Sequence, residues 1–334
     1  MTNQSNVTQL ESQADIWDYE DMDKLGIETT DHILAAMLML GSVVGIVGNC
    51  SAGCYFWPRR QKTIHDIQYL LIAAVDLITV LSGVPLVASL LNDRHAMLFE
   101  NDLFCTGWTL IFYFTAKMSM FLVMTISVTR TISIKFPHHL IKRYGVIGAI
   151  AGYTAYMIGI YLIYLSQRWY YSRYSQQISC CTLYPNKLEM PVIAYYYSIV
   201  SIPIELFLPA LATFASFVVG TWFLMTRPRL GNDIDDKFHQ VSVTISIFTA
   251  VFLVFNIPCF IYEIWKIVPQ SNHIDNPKFD LYGQLLTQNL SMFLNAAINP
   301  LLYLLRMPAY QKWIYQSFKS PFRVSDPVTV SQSG

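Results

Sequence analysis

Seven long apolar stretches, separated by short polar and charged segments, account for most of this chain. A helix needs about 20 mostly apolar residues to cross the hydrocarbon core of a membrane. None of the stretches alternates apolar and polar residues as a β-barrel strand does. The predicted spans are His32–Phe56, Gln68–Leu91, Leu103–Ile134, Gly145–Ser166, Val192–Met225, His239–Ile267 and Leu281–Leu305. The pattern predicts an all-α membrane protein built as a seven-transmembrane-helix bundle.

The same pattern divides the chain into three parts. Residues 1–31 form an N-terminal tail, residues 32–305 the transmembrane domain, and residues 306–334 an amphipathic helix with the C-terminal tail. Pro308 begins the short amphipathic eighth helix, since proline suits a first helical turn. Its apolar face and its lysines are Tyr310, Trp313, Ile314, Phe318, Lys312 and Lys319. We expect this helix to lie along the inner membrane surface.

Lysines and arginines are distributed unequally between the two sets of loops. Thirteen lie on one side and seven on the other, although the net charge is zero. Basic residues favour cytoplasmic loops, so the N-terminus is predicted outside and the C-terminus inside. Sequons at Asn3 and Asn6, which are glycosylated only on the lumenal side, agree. The acidic run at 15–23 is either a solvated segment or an attractor for a basic ligand.

Pro300 lies inside the seventh span. A proline within a helix removes one backbone hydrogen bond, and in hydrocarbon the freed carbonyl must find another partner. Asn299, the preceding residue, is the candidate partner. The seventh helix is therefore predicted to hold polar groups and water at membrane depth.

Several distinctive residues occur at matching depths in successive spans. They are Gly48-Asn49, Asp76, Cys105, Arg130, Pro209, Phe252, Pro258 and Asn299-Pro300-Leu301-Leu302-Tyr303. In this order, they make the chain resemble the rhodopsin-like (class A) G-protein-coupled receptors over nearly its whole length, the tails excepted. The resemblance implies a plasma-membrane receptor that binds an extracellular ligand and activates a heterotrimeric G protein.

The chain departs from the family's pattern at several positions of the switch. The acidic residue before the family's arginine is Thr129 here, so the carboxylate that would hold Arg130 at rest is missing, and Thr129 is the remaining candidate acceptor. The other departures are Asn256 for the sixth-span tryptophan, Phe217 for the fifth-span tyrosine, and Tyr153 or Tyr156 in the space of the missing fourth-span tryptophan. They predict raised basal activity, weak coupling, or a receptor-shaped binder that does not signal.

Asp76 places a carboxylate at the middle of an apolar helix, where it must face the interior and find partners. The resemblance implies a hydrated polar cluster, near Asn49, that holds a sodium ion as an allosteric modulator of the inactive form. The ligands implied for sodium are Asp76, Ser119, Asn295 and Asn299. A protonated, hydrogen-bonded Asp76 without an ion is the alternative. No other cofactor is expected.

Arg130 carries a permanently charged guanidinium with five donors near the inner end of the third span. By resemblance, it turns toward an inserted G-protein helix on activation, and Tyr303 follows it. The other switch residues that the resemblance implies are Phe252, Pro258, Asn299 and Pro300. The alternative is an arginine that snorkels to the interface.

Lys117 and Glu205 bring opposite charges to similar depths of the third and fifth spans. An unpaired charge there would be expensive, so a buried ion pair at the floor of the ligand cavity is predicted. The pair serves either as a lock between two helices or as a ligand-binding element.

The ligand itself is constrained by two positions. Phe112 occupies the site where amine receptors carry an aspartate, and Phe293 the site of the retinal-linking lysine, which argues against both ligands. The candidate pocket residues are Phe112, Tyr113, Ala116, Lys117, Glu205, Asn256, Gln288, Asn289 and Phe293. Their aromatic and amide content and the acidic tail favour a peptide, with a lipid or small polar molecule as the alternative.

Cys105 is expected to form a disulfide with Cys180 or Cys181 of the long outer loop, on the oxidising face. Other functional classes fit poorly. The chain shows neither the internal repeats of transporters nor the nucleophile–base pairs and metal-ligand spacings of enzymes. The expected partners are the ligand, the G protein and membrane lipid, with no nucleic acid.

Overall fold

The computed structural model describes residues 27–58, 63–91, 102–136, 143–175, 200, 203–226, 247, 249–262 and 290–319. These residues form eight helices, with no strand among them. In chain order the helices are α1 (Ile27–Phe56), α2 (Ile64–Leu91), α3 (Asp102–Lys135), α4 (Arg143–Ser175), α5 (Leu208–Thr226), α6 (Thr249–Tyr262), α7 (Ser291–Arg306) and α8 (Pro308–Lys319). A π-helical turn, Pro203–Phe207, leads directly into α5. The predicted all-α bundle with a short eighth helix is confirmed.

The described helices expose many large apolar side chains and bury polar ones within an otherwise apolar core, as a lipid-facing protein requires. Five of the described helices are long and apolar enough to cross a membrane, and α6 and α7 are shorter apolar helices as described. Leu40 and Leu211 are more than 60% exposed, whereas Asp76 and Asn256 are fully buried. Polar groups are costly in hydrocarbon and therefore face the interior.

Helix α3 lies at the centre of the bundle. It packs against α2, α5 and α7, and also contacts α4 and the π-helical turn. On one side, α1 packs against both α2 and α7. This arrangement brings side chains from distant parts of the sequence to the same depth.

Three glycines, Gly41, Gly48 and Gly83, allow α7 to approach its neighbours closely. A methyl group built on Gly41 would lie 2.6 Å from the ring of Phe293, and one built on Gly83 would lie closer still. The Phe293 ring therefore fits between α1 and α2 at positions where a larger residue would force the ring to shift. A methyl group on Gly48 would likewise lie 2.5 Å from Cβ of Pro300.

The helices differ from the predicted spans mainly at their ends. Helix α2 begins at Ile64, four residues before the predicted start, because Thr63 and Asp66 form a capping box. The backbone amide of Thr63 donates to Asp66 Oδ2 (2.9 Å), and the amide of Asp66 donates to Thr63 Oγ1 (3.2 Å). Such caps satisfy the free amides of a first turn, and hydropathy alone does not reveal them. Helix α4 continues to Ser175, beyond the predicted Ser166.

Candidate functional site

The middle of the bundle holds a buried polar cluster around Asp76. Asn299 Nδ2 of α7 donates a hydrogen bond to Asp76 Oδ2 at 2.7 Å. Ser119 of α3 lies beside the same carboxyl group, although its hydroxyl makes no hydrogen bond of normal geometry. Asn49 and Asn295 are also buried. Three of the four residues predicted as sodium ligands therefore meet at one carboxyl group.

Besides the Ser119 hydroxyl, two oxygen atoms of this region need a further partner. Asp76 Oδ1 and Asn49 Oδ1 are buried without a hydrogen bond to any described residue. Buried polar atoms are normally satisfied by protein or by ordered water. Oxygen atoms from a carboxylate, amides and a hydroxyl are the ligands that hard cations prefer. The donor set thus fits a sodium ion or water.

The carbonyl that Pro300 leaves without a partner belongs to Ala296, one helical turn earlier. Asn49 Nδ2 of α1 donates to it at 3.2 Å. The prediction that Asn299 is the partner is wrong, because the Asn299 amide is directed at Asp76 instead. Gly48, next to Asn49, lets α1 approach Pro300 closely enough for this contact.

Lys117 and Glu205 form the predicted buried ion pair. Their side chains are 7% and 1% exposed, and Lys117 Nζ contacts Glu205 Oε2 directly. Glu205 lies in the π-helical turn that precedes α5. A single π turn inside a helix is often found at functional sites. The ion pair is confirmed, and its role in ligand binding stays a prediction.

Two tyrosines of α4 lie near this ion pair. Tyr153 and Tyr161 lie close enough to Glu205 to sense its charge. Tyr153 stacks on Phe121 of α3, with ring centroids 4.0 Å apart and an interplanar angle of 2°. Tyr153 thus packs between α4 and α3, while the placement of Tyr153 or Tyr156 in the space of the missing fourth-span tryptophan stays a prediction.

Arg130 is held by a tyrosine of α2. Its Nη2 donates a hydrogen bond to the hydroxyl of Tyr69, and its guanidinium carbon lies 5.5 Å from the centroid of the same ring. Thr129, the predicted acceptor, has a different role. Its hydroxyl donates to the carbonyl of Thr125 at 2.7 Å and contacts Gln68 Oε1 at 3.3 Å. The expectation that Thr129 accepts from Arg130 is therefore wrong.

Tyr303 is fully buried beside the same tyrosine. Its ring meets Tyr69 edge-on, with centroids 5.2 Å apart at 72°, and lies 6.1 Å from Phe56 at 88°. Phe56 in turn stacks on Tyr69, with centroids 5.3 Å apart. The ends of α1, α2 and α7 thus share one aromatic cluster, which consists of Phe56, Tyr69 and Tyr303. Hydropathy and family motifs gave no signal for Tyr69.

In α6, Phe252 and Asn256 are buried and Pro258 faces outward. Asn256 Nδ2 donates to the carbonyl of Phe252 at 2.7 Å. Its Oδ1 atom has no hydrogen-bond partner in the part of the chain that the structure describes. Asn256, which replaces the family's sixth-span tryptophan, therefore places an unsatisfied hydrogen-bond acceptor inside the bundle.

The remaining pocket candidates lie on α3 and α7. Phe112, Tyr113 and Ala116 are buried, with the rings of Phe112 and Tyr113 edge-on at 5.5 Å. Phe293 packs against Gly41 and Gly83, on the α1–α2 side of the bundle. The roles of these residues in ligand binding stay predictions.

Helix α8 is attached to α1 by an aromatic cluster of Tyr55, Tyr310 and Trp313, with centroid distances from 5.1 to 6.1 Å. The Tyr310 hydroxyl also hydrogen-bonds to Ser51. Burial raises the pKa of Tyr310, so its phenol stays protonated at this contact. Phe318, predicted on the apolar face, is 83% exposed in the protein and therefore free to contact lipid.

Several predicted sites lie outside the described residues. These are the sequons at Asn3 and Asn6, the cysteines Cys180 and Cys181, and the pocket candidates Gln288 and Asn289. Cys105 lies on α3, and its disulfide stays a prediction.

A family model described as 7 transmembrane receptor (rhodopsin family) matches residues 54–303, which is well over half of the 334 residues. No curated protein sequence is significantly similar to the chain. The matched range extends from the end of α1 to Tyr303 and includes Asp76, Arg130 and the Lys117–Glu205 pair. The sequence motifs, the helical bundle and this match agree, and the chain belongs to the rhodopsin family of seven-transmembrane receptors, as a multi-pass protein of the plasma membrane.

Proposed function

We propose that this receptor binds an extracellular peptide and activates a heterotrimeric G protein. The contact between Arg130 and Tyr69 is the observation that carries the proposal. It keeps the family's coupling arginine at the inner end of α3 on a neutral acceptor. Hydrogen bonds to a neutral oxygen are weaker than those to a carboxylate. The arginine is therefore held, yet available to an incoming G-protein helix.

The mechanism is a shift between two arrangements of the bundle. An outside ligand and an inside G protein prefer the same arrangement, so each raises the affinity for the other. The N-terminus lies outside and the C-terminus inside, as the basic loops and the sequons predict. Pro258 lets α6 hinge, and the packing of Phe252 transmits the change.

The ligand site includes the Lys117–Glu205 pair. A ligand with a charged group competes for one member of the pair and so changes the contact between α3 and the turn before α5. The buried rings of Phe112 and Tyr113 supply apolar wall. The acidic run at 15–23 favours a basic peptide by raising its local concentration.

A sodium ion at Asp76 stabilises the inactive form. The residues that would hold it are Asp76, Ser119, Asn295 and Asn299. Support comes from the unpartnered Asp76 Oδ1 atom and from the oxygen-rich donor set. The ion would supply positive charge beside a carboxylate that has few other partners.

The test is ligand-free G-protein activation in cells, with a panel of Gα subunits and matched surface expression, for the wild type and Arg130→Ala. The expected result is a basal signal that disappears in the variant. A signal that persists unchanged would contradict the assigned role of Arg130. If neither the wild type nor Arg130→Ala activated a G protein, and the wild type did not respond to libraries of basic peptides, the protein would instead be a receptor-shaped binder that does not signal.

A further inference from the structure

Tyr69 contacts Arg130 and Tyr303, two of the residues that the family resemblance assigns to the activation switch. Its hydroxyl accepts the hydrogen bond from Arg130, and its ring meets the ring of Tyr303 at 5.2 Å. Tyr69 is 4% exposed, so water competes little for either contact. One residue of α2 therefore links α3 to α7 at their inner ends.

The position of the Tyr69 hydroxyl is set by packing. Phe56 stacks on the Tyr69 ring at an interplanar angle of 22°, and Tyr303 meets it at 72°. A ring fixed on two sides presents its hydroxyl in one direction without further loss of side-chain entropy. The guanidinium carbon lies 5.5 Å from the centroid of this ring, as expected for a guanidinium that reaches the hydroxyl.

Thr129, the residue before Arg130, does not accept a hydrogen bond from the Arg130 guanidinium. The Thr129 hydroxyl is engaged with the Thr125 carbonyl and with Gln68. Arg130 Nε is buried without a hydrogen bond to any described residue, so the guanidinium is only partly satisfied. The acceptor that position 129 lacks is supplied across the helix interface by α2.

We propose that Tyr69 is the positioning residue that retains Arg130 in the resting receptor, in place of the missing acidic side chain. Because the same ring packs on Tyr303, movement of α7 disturbs the contact that holds Arg130. The inference rests on the proposed coupling to a G protein, but the contact itself can be tested without one.

The first experiment compares ligand-free G-protein activation by the wild type, Tyr69→Phe, Thr129→Asp and the double variant at equal surface expression. Tyr69→Phe keeps the ring contacts and removes the acceptor, and basal activation should rise about tenfold, the effect of losing one charge-assisted hydrogen bond. Thr129→Asp restores a carboxylate beside Arg130 and should return the double variant to wild-type activation or below. Thr213→Val removes a buried hydroxyl of α5 that has no hydrogen-bond partner among the described residues, and it should change nothing.

A second experiment separates this inference from the proposed function. The melting temperatures of purified wild type, Tyr69→Phe, Arg130→Ala and the double variant form a mutant cycle that needs no G protein. The changes should not add, because the second substitution removes a contact already lost. Additive changes, or unaltered basal activation in Tyr69→Phe where the wild type signals, would overturn the inference. A non-additive cycle, with all variants silent both without ligand and with the basic-peptide libraries, would support the contact and contradict the coupling.

Discussion

Asn49 of α1 donates the hydrogen bond that Pro300 removes from α7, through the carbonyl of Ala296 at 3.2 Å. Both groups are buried, and no water is needed to satisfy that carbonyl. The α7 carbonyl that Pro300 leaves free thus receives its hydrogen bond from a side chain nearly 250 residues away in sequence. Gly48 makes the approach possible, which gives the adjacent glycine and asparagine a joint structural role.

Asn49→Ala should destabilise the receptor by about 1–3 kcal/mol, because it leaves the buried Ala296 carbonyl without its hydrogen-bond donor. Thermal unfolding of the purified receptor measures the effect. Pro300→Ala restores a backbone amide that can donate to the same carbonyl. In that background, Asn49→Ala should cost clearly less. Equal costs in both backgrounds would show that the Asn49–Ala296 bond contributes little.

Gly83→Ala should lower the melting temperature, since the added methyl group overlaps the buried ring of Phe293. Overpacking of a tight interior typically costs about 1–3 kcal/mol. Gly53→Ala is the matched control, because a methyl group there meets no atom within 4 Å. It should be neutral or slightly stabilising, in line with the higher helix propensity of alanine. If both substitutions lowered the melting temperature equally, the close packing of the Phe293 ring against Gly83 would be contradicted.

Lys117→Met should reduce surface expression more than the double substitution Lys117→Met with Glu205→Met. The single change leaves the Glu205 carboxylate buried without its cation, at a cost of about 3–5 kcal/mol, whereas an apolar pair of similar volume is often tolerated. Flow cytometry of an epitope-tagged receptor measures expression. If the double variant were expressed as poorly as the single one, the pair would owe its importance to something other than charge compensation.

Sodium should stabilise the wild-type receptor and not Asp76→Asn. A ligand that binds the folded state raises the melting temperature with its concentration. The measurement is a melting curve in increasing sodium chloride, with choline chloride at equal ionic strength as the control. Asp76→Asn keeps a side chain of the same size that can still pair with Asn299. A sodium response that survives in this variant would place the ion elsewhere.

Features that depend on residue type along the chain were predictable. Apolar runs longer than the hydrocarbon thickness indicated the spans, because backbone groups in lipid must be satisfied within each helix. The depths of Lys117 and Glu205 predicted their contact, since a buried charge without a counter-charge is unfavourable. The family motifs identified Asp76 and Arg130 as residues of the functional site.

Other partners across helix interfaces became apparent only in the tertiary structure. Asn299 and Thr129 were each expected to serve a neighbour in sequence, yet Asn49 satisfies the freed carbonyl and Tyr69 holds Arg130. The rotation of one helix against another determines which side chain reaches a given group. That rotation depends on close contacts such as Gly48 with Pro300 and Gly83 with Phe293. The sequence by itself determined which helices form and where charge is buried, whereas the packing between helices decided which groups meet.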